Sequence, residues 1–121
     1  MSSNDLTSLP TPPACLADVC IVPIGTPTAS VSKEVAEVQR LLKKSGLHYT
    51  MHSAGTTIEG SWDECMRVIG QAHTMLHRNG VVRIQSDIKV GTRTDKKQTP
   101  EDKVSAVNAL LSKDEEGKSE S

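Results

Sequence analysis

The chain has 121 residues, enough for one domain with a single core but not for two. Fourteen Lys and Arg against fifteen Asp and Glu leave a formal net charge of −1, so no basic footprint favours nucleic acid as a partner. Aromatic residues make up only 2% of the chain, which argues against the stacking platforms that bind bases or sugars.

Cysteine usage and hydropathy predict the compartment. Cys15, Cys20 and Cys65 are an odd number with no CxxC pair, and no apolar run approaches the roughly 18 residues of a membrane span. No Arg or Lys precedes Lys33, so the N-terminus matches neither a secretory signal nor a mitochondrial presequence. We therefore expect a cytoplasmic protein, with nuclear access left open, and no membrane partner.

The first third of the chain is predicted to be a tail, a strand and a helix. Residues 1–16 are rich in Ser, Thr and Pro and predict a flexible N-terminal tail. Residues 18–24 are apolar on both alternating faces, as in a central strand. Ser30 or Ser32 is the predicted cap of the next helix, with Glu34 or Glu37 in its first turns. The apolar stripe of this helix consists of Val31, Val35, Val38, Leu41 and Leu42.

The middle of the chain predicts a β-hairpin followed by a second helix. Residues 47–53 alternate in polarity, a turn follows at Ala54-Gly55, and residues 56–59 form the second strand. Ser61 with Glu64 three residues later has the pattern of a capping box, which starts a helix over residues 62–78.

The last third predicts a strand over residues 81–90 and a final helix that begins near Pro100 and ends at residue 112. Residues 113–121 are a charged, frayed C-terminal tail. Residues 17–112 therefore form one α+β domain of the ferredoxin-like split βαβ type. It has a four-stranded antiparallel sheet in the order βαββαβ, two helices on one face and an added C-terminal helix.

Period-two counting places many polar side chains on the sheet face away from the helices. A face of this charge, crossed by the apolar side of a central strand, predicts a subunit interface or the floor of a ligand site. Its predicted polar members are His48, Thr50, His52, Thr57, Glu59, Arg83, Gln85, Asp87 and Lys89.

Two apparent catalytic or metal patterns are better explained as structural. His73 and His77 have the spacing of zinc ligands on a helix, but the sequence places no third ligand and lacks the glutamate of a metalloprotease helix. Cys65 and His73 are about 12 Å apart along one buried helix face, too far for a nucleophile and its base. We expect neither an enzyme nor a metal site.

Several short segments together resemble one family. They are Pro23-Ile24-Gly25-Thr26, Ser45-Gly46-Leu47 with Tyr49, Gly55-Thr56-x-Ile58-Glu59-Gly60 with Trp62 and Asp63, Gly80-Val81-Val82-Arg83-Ile84, Ile88-Lys89, and Arg93-x-Asp95-Lys96. They are similar to the thiamine-binding-protein family of small, YkoF-like ferredoxin-fold proteins. The resemblance covers residues 17–96. The chain departs from it at His52-Ser53-Ala54, where the family often has an Asn-Pro-Met-like segment.

The resemblance implies a non-enzymatic protein that needs no cofactor and associates through its sheets, typically as a homotetramer built from dimers. Some relatives bind thiamine or its pyrimidine portion. A thiazolium cation is favoured near a carboxylate, and an aminopyrimidine needs donors and acceptors in one plane. The residue types in and near the Gly55–Gly60 segment therefore predict ligand-binding roles for Glu59, Thr56 and Thr57, and secondarily for Asp87 and His52.

The predicted function is a cytosolic binding protein for thiamine or a related pyrimidine, with the ligand on the polar sheet face at a subunit interface. The alternative is an oligomeric interaction or regulatory protein in which this face only joins subunits. In that case Glu59 forms an interface ion pair with Arg83 or Lys89.

Overall fold

A computed structural model of the chain describes residues 5–27, 30–95 and 107–112. It contains β1 (Cys15–Ile24), α1 (Ser32–Ser45), β2 (His48–His52), β3 (Gly55–Gly60), α2 (Trp62–Arg78) and β4 (Arg83–Gly91), and residues 107–112 are helical. The strands form one antiparallel sheet in the order β2-β3-β1-β4. The predicted ferredoxin-like α+β fold with an added C-terminal helix is confirmed. The predicted tail over residues 113–121 and the start of the last helix lie outside the described residues.

The N-terminal strand is longer than its apolar run predicts. Cys15 and Leu16 already pair with Gly60 and Glu59 of β3, so β1 begins inside the segment predicted as a tail. The preceding residues also contact the domain. Trp62 N donates to Pro12 O over 3.1 Å, and Thr11 Oγ1 donates to Asp63 Oδ1 over 3.0 Å. This part of the N-terminal segment therefore lies against the start of α2.

The two helices begin differently. At α2 the predicted cap is present: Ser61 Oγ accepts from Glu64 N over 3.1 Å and donates to Glu64 Oε1 over 2.8 Å. At α1 the predicted caps are wrong, because Val31 occupies the cap position and makes no side-chain cap hydrogen bond.

The core lies between the helices and one face of the sheet. It combines Ala17, Val19 and Ile58 of the sheet with residues from both helices, namely Val38, Leu42, Cys65, Val68, Ile69, Ala72 and Leu76. Alternation along each strand brings the apolar residues to this face. Burying such side chains contributes about 1.5–3 kcal/mol each before the entropy cost of ordering them.

The opposite side of the sheet, here called the outer face, carries the polar residues that alternation predicts. The strand register places Asp18 across from both Thr57 and Lys89, and Glu59 across from His48. On the core side of the sheet, not every residue that was expected to be buried is buried. Val82 precedes β4 and is 84% exposed, and Ile88 on the edge strand is 40% exposed although both were predicted to face the core.

Gly55 allows the β2–β3 hairpin to lie close to β1. A Cβ atom at this position would be 2.4 Å from the carbonyl oxygen of Val19, and Gly55 has a φ of +154°. Both the backbone conformation and the contact with Val19 therefore require glycine.

We expect Gly55→Ala to lower the free energy of unfolding by about 1–3 kcal/mol, because the new methyl group meets backbone rather than a movable side chain. The control is Gly70→Ala in α2, where a Cβ atom meets nothing within 4 Å. This change should stabilise the protein by about 0.5–1 kcal/mol through helix propensity. Urea unfolding of both variants measures the difference, and equal stabilities would contradict this account of Gly55.

Candidate functional site

A groove opens between α1 and the core side of the sheet, with a volume of about 280 Å³. We call it the α1 groove. Most of its wall is apolar and is formed by Val19, Ile21, Val35, Val38, Met51 and Leu76. Polar side chains also line it, among them Glu34, Gln39 and Thr56. An apolar wall with a few convergent polar groups is the usual composition of a small-molecule site.

The polar groups of the α1 groove are not all satisfied within the protein. Gln39 Nε2 donates to Thr56 Oγ1 over 3.0 Å, and Thr56 is only 5% exposed. Glu34 Oε2 is buried and has no hydrogen-bond partner among the described residues. A buried acceptor without a donor costs about 1–3 kcal/mol, and more when it is charged. This oxygen is therefore the group in the groove that a ligand donor would stabilise most.

Helix geometry explains why these side chains converge. Glu34 is one turn before Val38, which is buried in the core, so both occupy the same side of α1. Glu34 interrupts the apolar stripe that runs from Val31 to Leu42. The sequence predicts Glu34 only as a residue of the first helical turns, and neither Glu34 nor Gln39 was predicted to belong to a site. The available signal was a carboxylate within an otherwise apolar stripe.

Thr56 lies on the core side of β3, whereas its predicted companions Thr57 and Glu59 lie on the outer face. Adjacent residues of a strand point to opposite faces, so Thr56 cannot join one cluster with Thr57. The predicted set of ligand-binding residues is thus divided between two sides of the sheet.

On the outer face, His52 Nε2 lies 3.0 Å from Asp18 Oδ1 and 3.3 Å from Thr57 Oγ1. Asp87 lies opposite Cys20 on the other side of β1. A more open cavity of about 340 Å³ includes Asp18, Asp87 and Lys89. The structure therefore brings His52 and Thr57 together, with Asp87 beyond β1.

Glu59 occupies one end of the outer face. It is opposite Leu16 of β1, whereas Arg83 is opposite Ile24. Eight residues of strand separate these positions, which is about 26 Å at the rise of an extended chain. An ion pair between Glu59 and Arg83 is therefore impossible within one subunit, and only a second subunit could supply it.

Both histidines of α2 make structural contacts. His73 Nε2 lies 2.6 Å from Ser86 Oγ of β4, and His77 Nδ1 lies 2.8 Å from the carbonyl oxygen of Val81. Sequence reasoning did not foresee the contact between His73 and Ser86. It joins two half-buried polar groups away from the α1 groove. Within the described ranges, no cluster of three or more His, Cys, Asp or Glu side chains could hold a metal ion.

Cys65 lacks the properties of a nucleophile. Burial raises the pKa of the Cys65 thiol to about 12, and the neighbouring Cys15 thiol and the carboxylates of Glu64 and Glu59 add to the shift. Since the thiolate is the reactive form, Cys65 is chemically inert at neutral pH. This agrees with its predicted role as a buried core residue.

Comparison with known proteins identifies close relatives. The family described as "Thiamine-binding protein" matches residues 17–108. The UPF0045 protein ECM15 of Eremothecium gossypii is 52% identical over 97 residues, which cover 80% of this chain and 92% of the relative. The UPF0045 protein sll0230 of Synechocystis is 43% identical over 79% of this chain and 78% of its own.

Solved structures share the fold. A hypothetical protein, MJ1052 of Methanocaldococcus jannaschii, superimposes with a TM-score of 0.71 at 36% identity, covering 78% of this chain and 96% of that one. A Thermotoga maritima protein described as a putative thiamine biosynthesis/salvage protein has a TM-score of 0.67 at 19% identity, with 78% and 99% of the chains covered. Among the described residues, the helices are all too short or too polar to cross a bilayer.

We expect burial to protect Cys65 from alkylation. At pH 8 a thiol with a pKa of about 12 is roughly one part in 10,000 thiolate. Cys65 should therefore resist iodoacetamide in the folded protein and react once the protein is unfolded in urea. Peptide mass spectrometry before and after unfolding gives the comparison. Equal labelling of Cys65 in the native and the unfolded protein would contradict its burial.

Proposed function

The chain belongs to the thiamine-binding protein family, and from this premise we propose that it is a non-enzymatic binding protein for thiamine or a related pyrimidine. We further propose that the pyrimidine portion occupies the α1 groove. The observation that carries this proposal is the buried Glu34 Oε2, which has no hydrogen-bond partner among the described residues and borders an apolar cavity.

The groups in the groove match the chemistry of an aminopyrimidine. Its exocyclic amino group donates hydrogen bonds, which the Glu34 carboxylate accepts. Its ring nitrogens accept hydrogen bonds, which the Thr56 hydroxyl and the Gln39 amide can donate. The apolar wall around Val35 and Val38 suits the ring faces and the methyl substituent. A volume of about 280 Å³ accommodates one such ring and leaves the rest of a larger ligand outside.

The thiazolium portion of thiamine would then extend towards the mouth of the α1 groove, where His52, Ser53 and Ala54 also line the wall. A permanent cation near the Glu34 carboxylate is favourable where water is partly excluded. These residues form the segment in which the chain departs from the family pattern. This segment is therefore where the chain would differ from its relatives in the ligands that it accepts.

A second candidate position for the same ligand is the outer face. There Thr57, Glu59, Asp87 and His52 provide the donors and carboxylates that the sequence predicts for the ligand. The α1 groove is favoured because its wall is predominantly apolar and because none of the described residues donates to its buried carboxylate oxygen.

We also propose that the protein works in the cytoplasm as a homotetramer, a dimer of dimers, with the outer face as one assembly surface. The apolar residues Leu16, Cys20, Val22 and Ile24 lie on this face along β1, interrupted by Asp18, and Val22 is 41% exposed. An apolar line with charged flanks has the composition of an interface between subunits.

Calorimetric titration with thiamine tests the ligand and its position. We expect saturable binding to the wild-type protein. Glu34→Gln should weaken it roughly 10- to 150-fold, because loss of a charged hydrogen-bond partner costs about 1.5–3 kcal/mol. The matched control is Glu59→Gln, which makes the same chemical change on the outer face and should leave the affinity unchanged.

The thiamine affinities of Glu34→Gln and Glu59→Gln together distinguish between the α1 groove and the outer face as the position of the ligand. Weakening by Glu59→Gln alone would move the ligand to the outer face. Absence of heat and of thermal stabilisation by millimolar thiamine in the wild-type protein would contradict the ligand proposal. Thr56→Val removes the proposed hydroxyl donor but keeps nearly the same side-chain volume. It should therefore weaken thiamine binding without opening a cavity, which gives a second test of the position of the ligand in the α1 groove.

A further inference from the structure

A short segment before β1, here called the N-terminal strap, consists of residues 9–14 and lies against the start of α2. The strap belongs to no helix or strand. Among the described residues, it is joined to α2 by the hydrogen bonds from Trp62 N to Pro12 O and from Thr11 Oγ1 to Asp63 Oδ1. The family match begins only at residue 17, so the strap is a feature of this chain outside the matched region.

Thr11 has the properties of a phosphorylation site. Its side chain is exposed, and Pro12 and Pro13 follow it directly. A proline disfavours helical backbone in the residue before it, which keeps Thr11 in the extended form that protein kinases bind. One class of these kinases requires a proline directly after the threonine that it modifies. A segment held by few exposed hydrogen bonds opens locally at low cost, so the strap can leave α2 to enter a kinase.

The chain has two further Thr-Pro dipeptides, which differ from Thr11 in their surroundings. Thr26-Pro27 follows β1, and the side chain of Thr26 is half-buried. Thr99-Pro100 lies outside the described residues. At Thr11, by contrast, the hydroxyl that a kinase would modify is itself the donor that anchors the strap to Asp63. Phosphorylation of this oxygen removes the donor.

The charges at the start of α2 determine what a phosphate on Thr11 does. The phosphate adds about −1.5 to −2 charge at an oxygen that lies 3.0 Å from Asp63 Oδ1. Asp63 and Glu64 already place two carboxylates in the first turn, where the helix dipole would otherwise favour an anion. Arg67 is one turn further along α2, so Asp63 is the charge that the phosphate meets first. Like charges in direct contact repel, and the phosphate therefore opposes binding of the strap.

We propose that Thr11 is modified by a proline-directed protein kinase and that the phosphate releases the N-terminal strap from α2. In the transfer, Thr11 Oγ1 forms a bond to the γ-phosphorus of a nucleoside triphosphate. The bond to the departing nucleoside diphosphate breaks, and the hydroxyl proton passes to a base of the kinase. Release separates Trp62 N from its acceptor, Pro12 O. This inference is independent of the ligand proposal, since the α1 groove adjoins β1 from Val19 onwards.

Semisynthesis gives the phosphorylated chain without a kinase. A synthetic thioester peptide of residues 1–14 can be ligated to residues 15–121 at Cys15, and refolding then yields the complete native sequence. Trp62 is the only tryptophan, so labelling with ¹⁵N-tryptophan gives one backbone amide signal. We expect phosphothreonine at position 11 to raise the hydrogen-exchange rate of this amide about tenfold, because its hydrogen bond is lost. The reference is the unphosphorylated chain made in the same way.

Two matched chains show whether repulsion by Asp63 causes the release. Phosphoserine at position 8 puts the same charge into the same peptide, but within the described residues Ser8 Oγ donates to the carbonyl oxygen of Asp5. It should leave the exchange of the Trp62 amide unchanged. Asp63→Asn removes the like charge, so phosphorylation of Thr11 in this variant should accelerate the exchange much less than in the native sequence.

A mitogen-activated protein kinase with ATP tests the modification of the folded, full-length chain. Peptide mass spectrometry should locate a phosphate on Thr11 that is lost in Thr11→Ala and kept in Thr26→Ala. Three results would overturn the proposal: no phosphate on Thr11 of the folded chain, unchanged exchange of the Trp62 amide in the semisynthetic phosphorylated chain, or equal acceleration by phosphoserine at position 8.

Discussion

The approach of Gly55 to the backbone of Val19 is the constraint on which the two surfaces of this sheet depend. No other residue type allows the start of β3 to lie this close to β1. Once that contact is made, Val19 is opposite Thr56 and Asp18 is opposite Thr57. The hydroxyl of Thr56 is thereby turned into the α1 groove and that of Thr57 onto the outer face. The contact at Gly55 thus places one threonine in the proposed binding site and the next threonine on the proposed assembly surface.

The α1 groove needs elements that are distant in the sequence. Val19, Glu34, Thr56 and Leu76 come from β1, α1, β3 and α2, and they meet only because the two crossovers place both helices on one face of the sheet. The free energy of the fold comes from the apolar core beneath the helices, whereas the groove contains a carboxylate oxygen that receives no hydrogen bond from the part of the chain that the structure describes. Such local cost is characteristic of functional sites.

Periodicity predicted the strands, the helices and the outer face, because side chains alternate along a strand whatever the tertiary context. His52, Thr57, Glu59 and Asp87 lie on the face where alternation predicts them. The same rule separates Thr56 from Thr57, and the sequence-based grouping of these residues by type did not apply it. Glu34 and Gln39 were missed for a different reason. Their role depends on which face of α1 covers the edge of the sheet, and this is decided by packing between elements that are distant in the sequence. The only local indication in the sequence is that Glu34 is a carboxylate within an otherwise apolar stripe.

The most direct test of the central claim is a crystal structure of the protein grown with thiamine. The account predicts electron density for the pyrimidine ring within the α1 groove, with the amino group at hydrogen-bond distance from Glu34 and a ring nitrogen near Thr56 or Gln39. Density on the outer face beside Asp18 and Asp87, with the α1 groove empty, would contradict it.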